Sequence, residues 1–154
     1  MNQSGVAISD EMGALNSLMA SAVLLIDDNA VQAATRQAIL RRNGYSAIAV
    51  LNPKRALEQL RGRDFPVAIG LIITDHVMPE MNGSTFVREL RRMDPGMPVM
   101  VISGLDEART EYAGMNVEFL VKPLHPEHLL EHVHRLLRPV VQPAVSHGES
   151  PFVR

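Results

Sequence analysis

The sequence predicts a doubly wound α/β domain, with a five-stranded parallel sheet and helices on both of its faces. Five short apolar runs carry that expectation: VLLI (23–26), YSAIAV (45–50), GLIIT (70–74), PVMVIS (98–103) and VEFLV (117–121). Such runs suit strands buried on both faces, because a strand with one wet face alternates apolar and polar residues. Segments with helix start and stop signals separate them. The connections are short and nothing repeats internally, so the strands run parallel through helical crossovers.

Each element has a local reason. Residues 1–21 are small and polar with scattered Leu and Met, and are expected to form a mobile arm ahead of a domain over 22–138. VLLI stops at Asp27-Asp28, and Asn29 caps a helix over 30–43 that Gly44 ends. Its apolar stripe is read as Val31, Ala34 and Ala38. Asn52-Pro53 supplies a cap and an N1 proline for a helix ending at Gly62. GLIIT runs into Asp75, and a helix over 84–93 buries Phe86, Leu90 and Met93 before Asp94-Pro95-Gly96 stops it. Residues 106–113 read as a short, weak helix interrupted by Gly114. Pro126 starts the last helix, with Leu129, Val133, Leu136 and Leu137 inward. Residues 139–154 lack periodicity and read as a disordered tail.

Composition narrows the function. The chain has 154 residues, 46% of them hydrophobic, enough for one domain with a real core. Fifteen basic residues against 17 acidic ones give a net charge of −2, and no basic run exceeds Arg41-Arg42 or Arg91-Arg92. A nucleic-acid partner is therefore not expected. The absence of cysteine excludes disulfides and thiolate metal sites. The uncharged stretch 12–26 resembles a signal-peptide core, but Asp10 and Glu11 precede it and the first basic residue is Arg36. A secretory leader needs a positive start, and the stretch is too short for a membrane helix. A soluble, cytoplasmic protein without membrane contact is expected.

In doubly wound sheets, chemistry sits beyond the carboxyl ends of the strands. Those ends read Asp27-Asp28, Asp75, Ser103 and Lys122. Three carboxylates without a suitably placed histidine make a hard, all-oxygen site of the kind Mg²⁺ prefers. Carboxylates this close raise one another's pKa, and a divalent cation neutralises them. An aspartate beside Mg²⁺, with an ammonium and a hydroxyl near it, suits acceptance of a phosphoryl group with the carboxylate as nucleophile.

The series D-D (27–28), D-x-x-M-P-x-M-x-G (75–83), S (103) and F-x-x-K-P (119–123), each piece near a strand end, resembles the receiver domain of two-component response regulators over about residues 22–138. That resemblance implies a flavodoxin-like sheet of order 2-1-3-4-5. It implies phosphorylation of Asp75 by a histidine kinase or histidine phosphotransfer protein. Mg²⁺ would be held directly by Asp28, partly through water by Asp27, and by Asp75 and the backbone carbonyl of Val77. Ser103 and Phe119 would be the switch pair, and Lys122 would meet the phosphoryl oxygens from a cis peptide to Pro123.

The chain also departs from the family pattern. Ser103 and Phe119 are 16 positions apart, roughly three fewer than is usual in the family, and the deficit shortens the fourth helix to DEARTEYAG. The output face that relatives build there is therefore in question. Phe119 replaces the commoner tyrosine. Val77 and Leu105 stand where side chains can position a hydrolytic water, and neither can bond one, so slow loss of phosphate is expected.

Only 16 residues follow Arg138, which suggests a single-domain receiver without an output domain, read by a downstream protein target or acting within a phosphorelay. A receiver cut from a hybrid histidine kinase is the alternative. A small aspartate-dependent phosphohydrolase is a weaker rival, because Val77 occupies the place of its second acid. A flavin or nucleotide module is weaker still, because Asp-Asp-Asn after the first strand repels phosphate. His76 is read as an exposed loop residue, and His125, His128, His132 and His134 as solvated. Met78, Met81 and Met93 are read as packing, and Arg88, Arg91 and Arg92 as a solvated face.

Overall fold

The structure, a computed structural model, describes residues 21–137. The expected N-terminal arm, apart from Ser21, and the expected tail lie outside the described residues. Five strands, β1 (Ala22–Ile26), β2 (Ala47–Val50), β3 (Ile69–Asp75), β4 (Val99–Ser103) and β5 (Glu118–Val121), form one parallel sheet. Its order is β2-β1-β3-β4-β5. Every residue of β1 and β4 is buried, as their unbroken apolar runs require.

Successive side chains leave a strand on opposite faces, so the sheet builds two cores. Leu24, Ile26, Ile72 and Val101 face α2 (Pro53–Gly62) and α3 (Gly83–Met93), against Leu57, Phe86 and Leu90. Val23, Leu25, Ile73 and Ile102 face α1 (Ala30–Arg42) and α4 (Pro126–Leu136), against Leu40, Leu129 and Val133. Asn29, Asn52 and Asn82 cap α1, α2 and α3, each accepting backbone N–H bonds through its side chain. The register pairs Ile26 with Val50 and Thr74, Asp75 with Ile102, and Ser103 with Val121. The strands therefore finish along one edge.

Two expectations need correction, on α1 and on Arg91. The buried positions of α1 are Ala33 and Leu40, with Arg36 and Gln37 half-buried between them, while Ala34 and Ala38 are exposed and Val31 is 74% exposed. An alanine-rich helix offers little apolar contrast, so the stripe could not be read from periodicity. Its inward face is in fact partly polar.

The short, weak helix expected over 106–113 is present as a 3-10 helix, η1 (Asp106–Tyr112), without a side-chain cap. Seven residues ahead of Gly114, which takes φ 78°, are too few to nucleate a stable α-helix.

Arg91 is not part of a solvated face. Its guanidinium donates to the carbonyls of Met115, Asp94, Met97 and Asn116 at 2.8–3.2 Å, tying the end of α3 to the loop before β5. Burial lowers its pKa, opposed by Asp94. Arg88 and Arg92 are exposed.

Candidate functional site

Asp75 ends β3 and is only 4% exposed. The neighbouring strands place a partner on each side of its carboxylate. From the end of β5, Lys122 brings Nζ to 3.0 Å from Oδ1. That contact is an ion pair without hydrogen-bond alignment, and Oδ1 is buried with no hydrogen-bond donor. Gln32 of α1 steadies the same ammonium, accepting from Nζ at 3.4 Å. The Lys122–Pro123 peptide is cis.

On the other side, Arg36 of α1 brings Nη1 to 3.6 Å from Asp75 Oδ2 and 3.0 Å from Asp27 Oδ2. Asp27 is buried and accepts the Asn29 N–H at 2.9 Å. Burial, with the neighbouring Asp75 carboxylate, pushes Asp27 up to about 7, against the lowering influence of the Asn29 N–H and Arg36. Asp28 is exposed and makes no ion pair with the described residues. Two of the three predicted acids thus share the pocket, and the third is exposed to solvent.

Ser103 is buried at the end of β4, where its Oγ accepts the Leu105 N–H at 3.0 Å and donates to the Leu105 carbonyl at 3.3 Å. Its hydroxyl is therefore committed to its own loop, while its carbonyl accepts the Lys122 N–H at 2.8 Å. Val77 is 64% exposed.

Beside Asp75 lies a cluster that sequence reasoning missed. His76 is 6% exposed, not an open loop residue. Its Nδ1 hydrogen-bonds with the Tyr112 hydroxyl at 2.6 Å, and its Nε2 lies 3.4 Å from Glu111 Oε2. Burial pushes the Tyr112 hydroxyl pKa up, with Glu111 and Asp75 adding to it. The Tyr112 ring packs on buried Phe119 at 5.6 Å between centroids, and the Arg109 guanidinium lies 4.8 Å from the centre of the Phe119 ring. A glycine at 83 makes this possible. A Cβ there would meet the Tyr112 hydroxyl at 2.3 Å and the Asp75 carbonyl at 2.8 Å.

The four C-terminal histidines are divided. His125 and His128 pack edge to face at 5.8 Å, and His134 lies 3.4 Å from the Tyr45 hydroxyl. His132 pairs with Glu118 at 2.8 Å, and Arg135 pairs with the same carboxylate. Arg135 first, then His132, hold Glu118 below the usual carboxylate range against its burial. Among the described residues no three His, Asp or Glu are spaced to hold a metal as they stand, the acids of the pocket included. The pocket's chemistry still fits Mg²⁺, because Asp27 and Asp75 are buried and offer it carboxylate oxygens, the hard donors that it prefers.

A doubly wound sheet whose strand ends gather an aspartate, a second acid and a lysine defines the receiver class of two-component signalling domains. The chain belongs to the response regulator receiver domain family, whose sequence profile matches residues 23–134. It is 29% identical over 110 residues to the transcriptional regulatory protein ZraR of Escherichia coli O157:H7, covering 70% of this chain and 24% of that protein. It is 27% identical over 119 residues to the cell cycle transcriptional regulator CtrA of Caulobacter vibrioides, covering 75% of this chain and 50% of that one. The chain therefore spans about a quarter of the first relative and half of the second. Its fold matches the response regulator receiver protein of Sinorhizobium medicae WSM419 with a TM-score of 0.68 and 29% identity, over 80% of this chain and 98% of that one. A chemotaxis response regulator, CheY4 of Vibrio cholerae, matches with a TM-score of 0.66 and 25% identity, over 75% of this chain and 98% of that one. No helix among the described residues is long and apolar enough to cross a membrane.

Proposed function

We propose that Asp75 is the phosphoacceptor of this receiver, taking a phosphoryl group from a phosphohistidine of a histidine kinase or histidine phosphotransfer protein. The observation that carries this reading is the Lys122 ammonium 3.0 Å from a buried Asp75 oxygen at the carboxyl edge of the sheet. A carboxylate oxygen of Asp75 attacks phosphorus as the phosphorus–nitrogen bond to the donor imidazole breaks, and the imidazole keeps the electron pair. Lys122 meets charge on the transferring oxygens. Ser103 releases its bond to the Leu105 loop and donates its hydroxyl to the phosphoryl group. Phe119, packed beneath Tyr112, holds the inward side of that rearrangement. Magnesium, when bound by Asp27, Asp28, Asp75 and the Val77 carbonyl, supplies the charge neutralisation that lets an anionic carboxylate approach an anionic phosphoryl group. The acyl phosphate then biases an inactive–active equilibrium that a protein partner reads. The same chemistry serves a free-standing receiver or one carried within a hybrid histidine kinase. An exposed valine two residues past the acceptor leaves a phosphohydrolase without its second acid.

Incubation with acetyl phosphate and Mg²⁺, followed by intact mass spectrometry, tests this. One phosphoryl adduct is expected on the wild type and none on Asp75→Asn. Equal adducts on both would defeat the assignment.

A further inference from the structure

Arg36 has no part in the chemistry above, yet its guanidinium lies inside the acid pocket. The side chain is 14% exposed and leaves the half-buried polar face of α1. Nη1 bonds Asp27 Oδ2 at 3.0 Å and stands 3.6 Å from Asp75 Oδ2. Asp75 is therefore flanked on one oxygen by Lys122 and on the other by Arg36. Neither cation is an exposed surface charge reaching across solvent; both are anchored on elements that frame the pocket.

We infer that Arg36 is the pocket's built-in counter-ion, which holds Asp27 Oδ2 when no divalent cation is bound and competes with that cation for the acids. The inference rests on the reading of Asp75 as a magnesium-assisted phosphoacceptor. The reasoning is electrostatic. Counted in the ionised form that cation binding requires, three carboxylates against Lys122 and Arg36 leave one surplus negative charge; without Arg36 the surplus is two. An arginine does not lose its proton in a protein, so the competition persists at any working pH. A divalent cation held by Asp27, directly or through water, competes with the guanidinium for that carboxylate and sits within a few ångströms of a fixed like charge. In a pocket of reduced dielectric that repulsion is worth about one order of magnitude in affinity or more. Arg36 is thus a positioning residue that sets how much Mg²⁺ the site needs.

The test uses the full chain and Mn²⁺ as the probe, following free Mn²⁺ by electron paramagnetic resonance and displacing it with MgCl₂. Arg36→Gln is expected to bind Mn²⁺ at least about ten-fold more tightly than wild type, with Arg36→Lys, which keeps the charge, close to wild type. Equal or weaker binding by a folded Arg36→Gln overturns the inference. A second measurement needs no variant. On the ¹⁵N-labelled wild type, the Arg36 guanidinium resonance should move as Mg²⁺ saturates the site, and an unmoved resonance at saturation also overturns it. The two readings fail separately. Tightened Mn²⁺ binding in Arg36→Gln without a phosphoryl adduct on wild-type Asp75 leaves the counter-ion standing and removes the phosphoacceptor. An adduct with unchanged Mn²⁺ affinity does the reverse.

Discussion

The Tyr112 hydroxyl lies 2.6 Å from Nδ1 of His76, the residue next to Asp75. Through this side-chain bond the short η1 segment, standing where a longer helix is usual, still reaches the loop that follows Asp75. Tyr112→Phe removes the hydroxyl and leaves a buried imidazole nitrogen unpartnered. A loss of about 1–2 kcal/mol in denaturant unfolding is expected, with the acetyl phosphate adduct retained. An unchanged midpoint would show that the bond carries no stability.

Gly83 tests the same contact from the other side. Alanine there places a carbon 2.3 Å from the Tyr112 hydroxyl and 2.8 Å from the Asp75 carbonyl, and the latter is backbone that cannot swing away. Gly83→Ala should cost about 1–3 kcal/mol through overpacking and should also slow phosphorylation, because the acceptor loop must shift. Kinetics of adduct formation under identical Mg²⁺ and acetyl phosphate give the check.

Arg91 separates structure from function. Losing four carbonyl contacts, Arg91→Ala should destabilise by about 2–3 kcal/mol. The exposed Arg88→Ala should stay within about 0.5 kcal/mol of wild type. Both should still phosphorylate at low temperature. Equal effects of the two substitutions on the unfolding midpoint would contradict the clamp.

The raised Asp27 pKa sets a pH dependence. Between the ordinary carboxylate value of 3.8 and about 7, the folded state holds a proton on Asp27 that the unfolded state has lost. Stability from this group is therefore fully present at low pH and falls as pH rises through about 7. Glu118, held low by Arg135, acts only below its ordinary range and outside this window. Without divalent cations, the thermal midpoint should fall from pH 5 to pH 8, and saturating Mg²⁺, which favours ionised carboxylates, should shrink that fall. A midpoint that climbs over the same range without divalent cations would count against it.

The backbone plan was legible because each strand is a dense apolar run, and four of the five stop at a polar or charged side chain: Asp27, Asp75, Ser103 or Lys122. Both periodicity and turn chemistry point the same way there. What escaped was long-range pairing among polar residues. Arg36 could be seen only as the first basic residue of the chain, since α1 carries alanines on both faces and nothing in its pattern marks the inward side. His76 and Tyr112 are 36 positions apart, and no local rule joins them. Arg91 resembled its neighbours Arg88 and Arg92 in sequence, and only the fold decides which of three arginines meets a set of free carbonyls.

Asp75, as the proposed carrier of the phosphoryl group, is open to a direct chemical test. After reaction with acetyl phosphate and Mg²⁺, borohydride reduces an acyl phosphate to an alcohol, and peptide mass spectrometry then locates the change. Homoserine in place of aspartate at position 75, with Asp27 and Asp28 untouched, is the predicted result. Reduction at Asp27 or Asp28, or an intact aspartate at 75 in protein that carries the adduct, would contradict it.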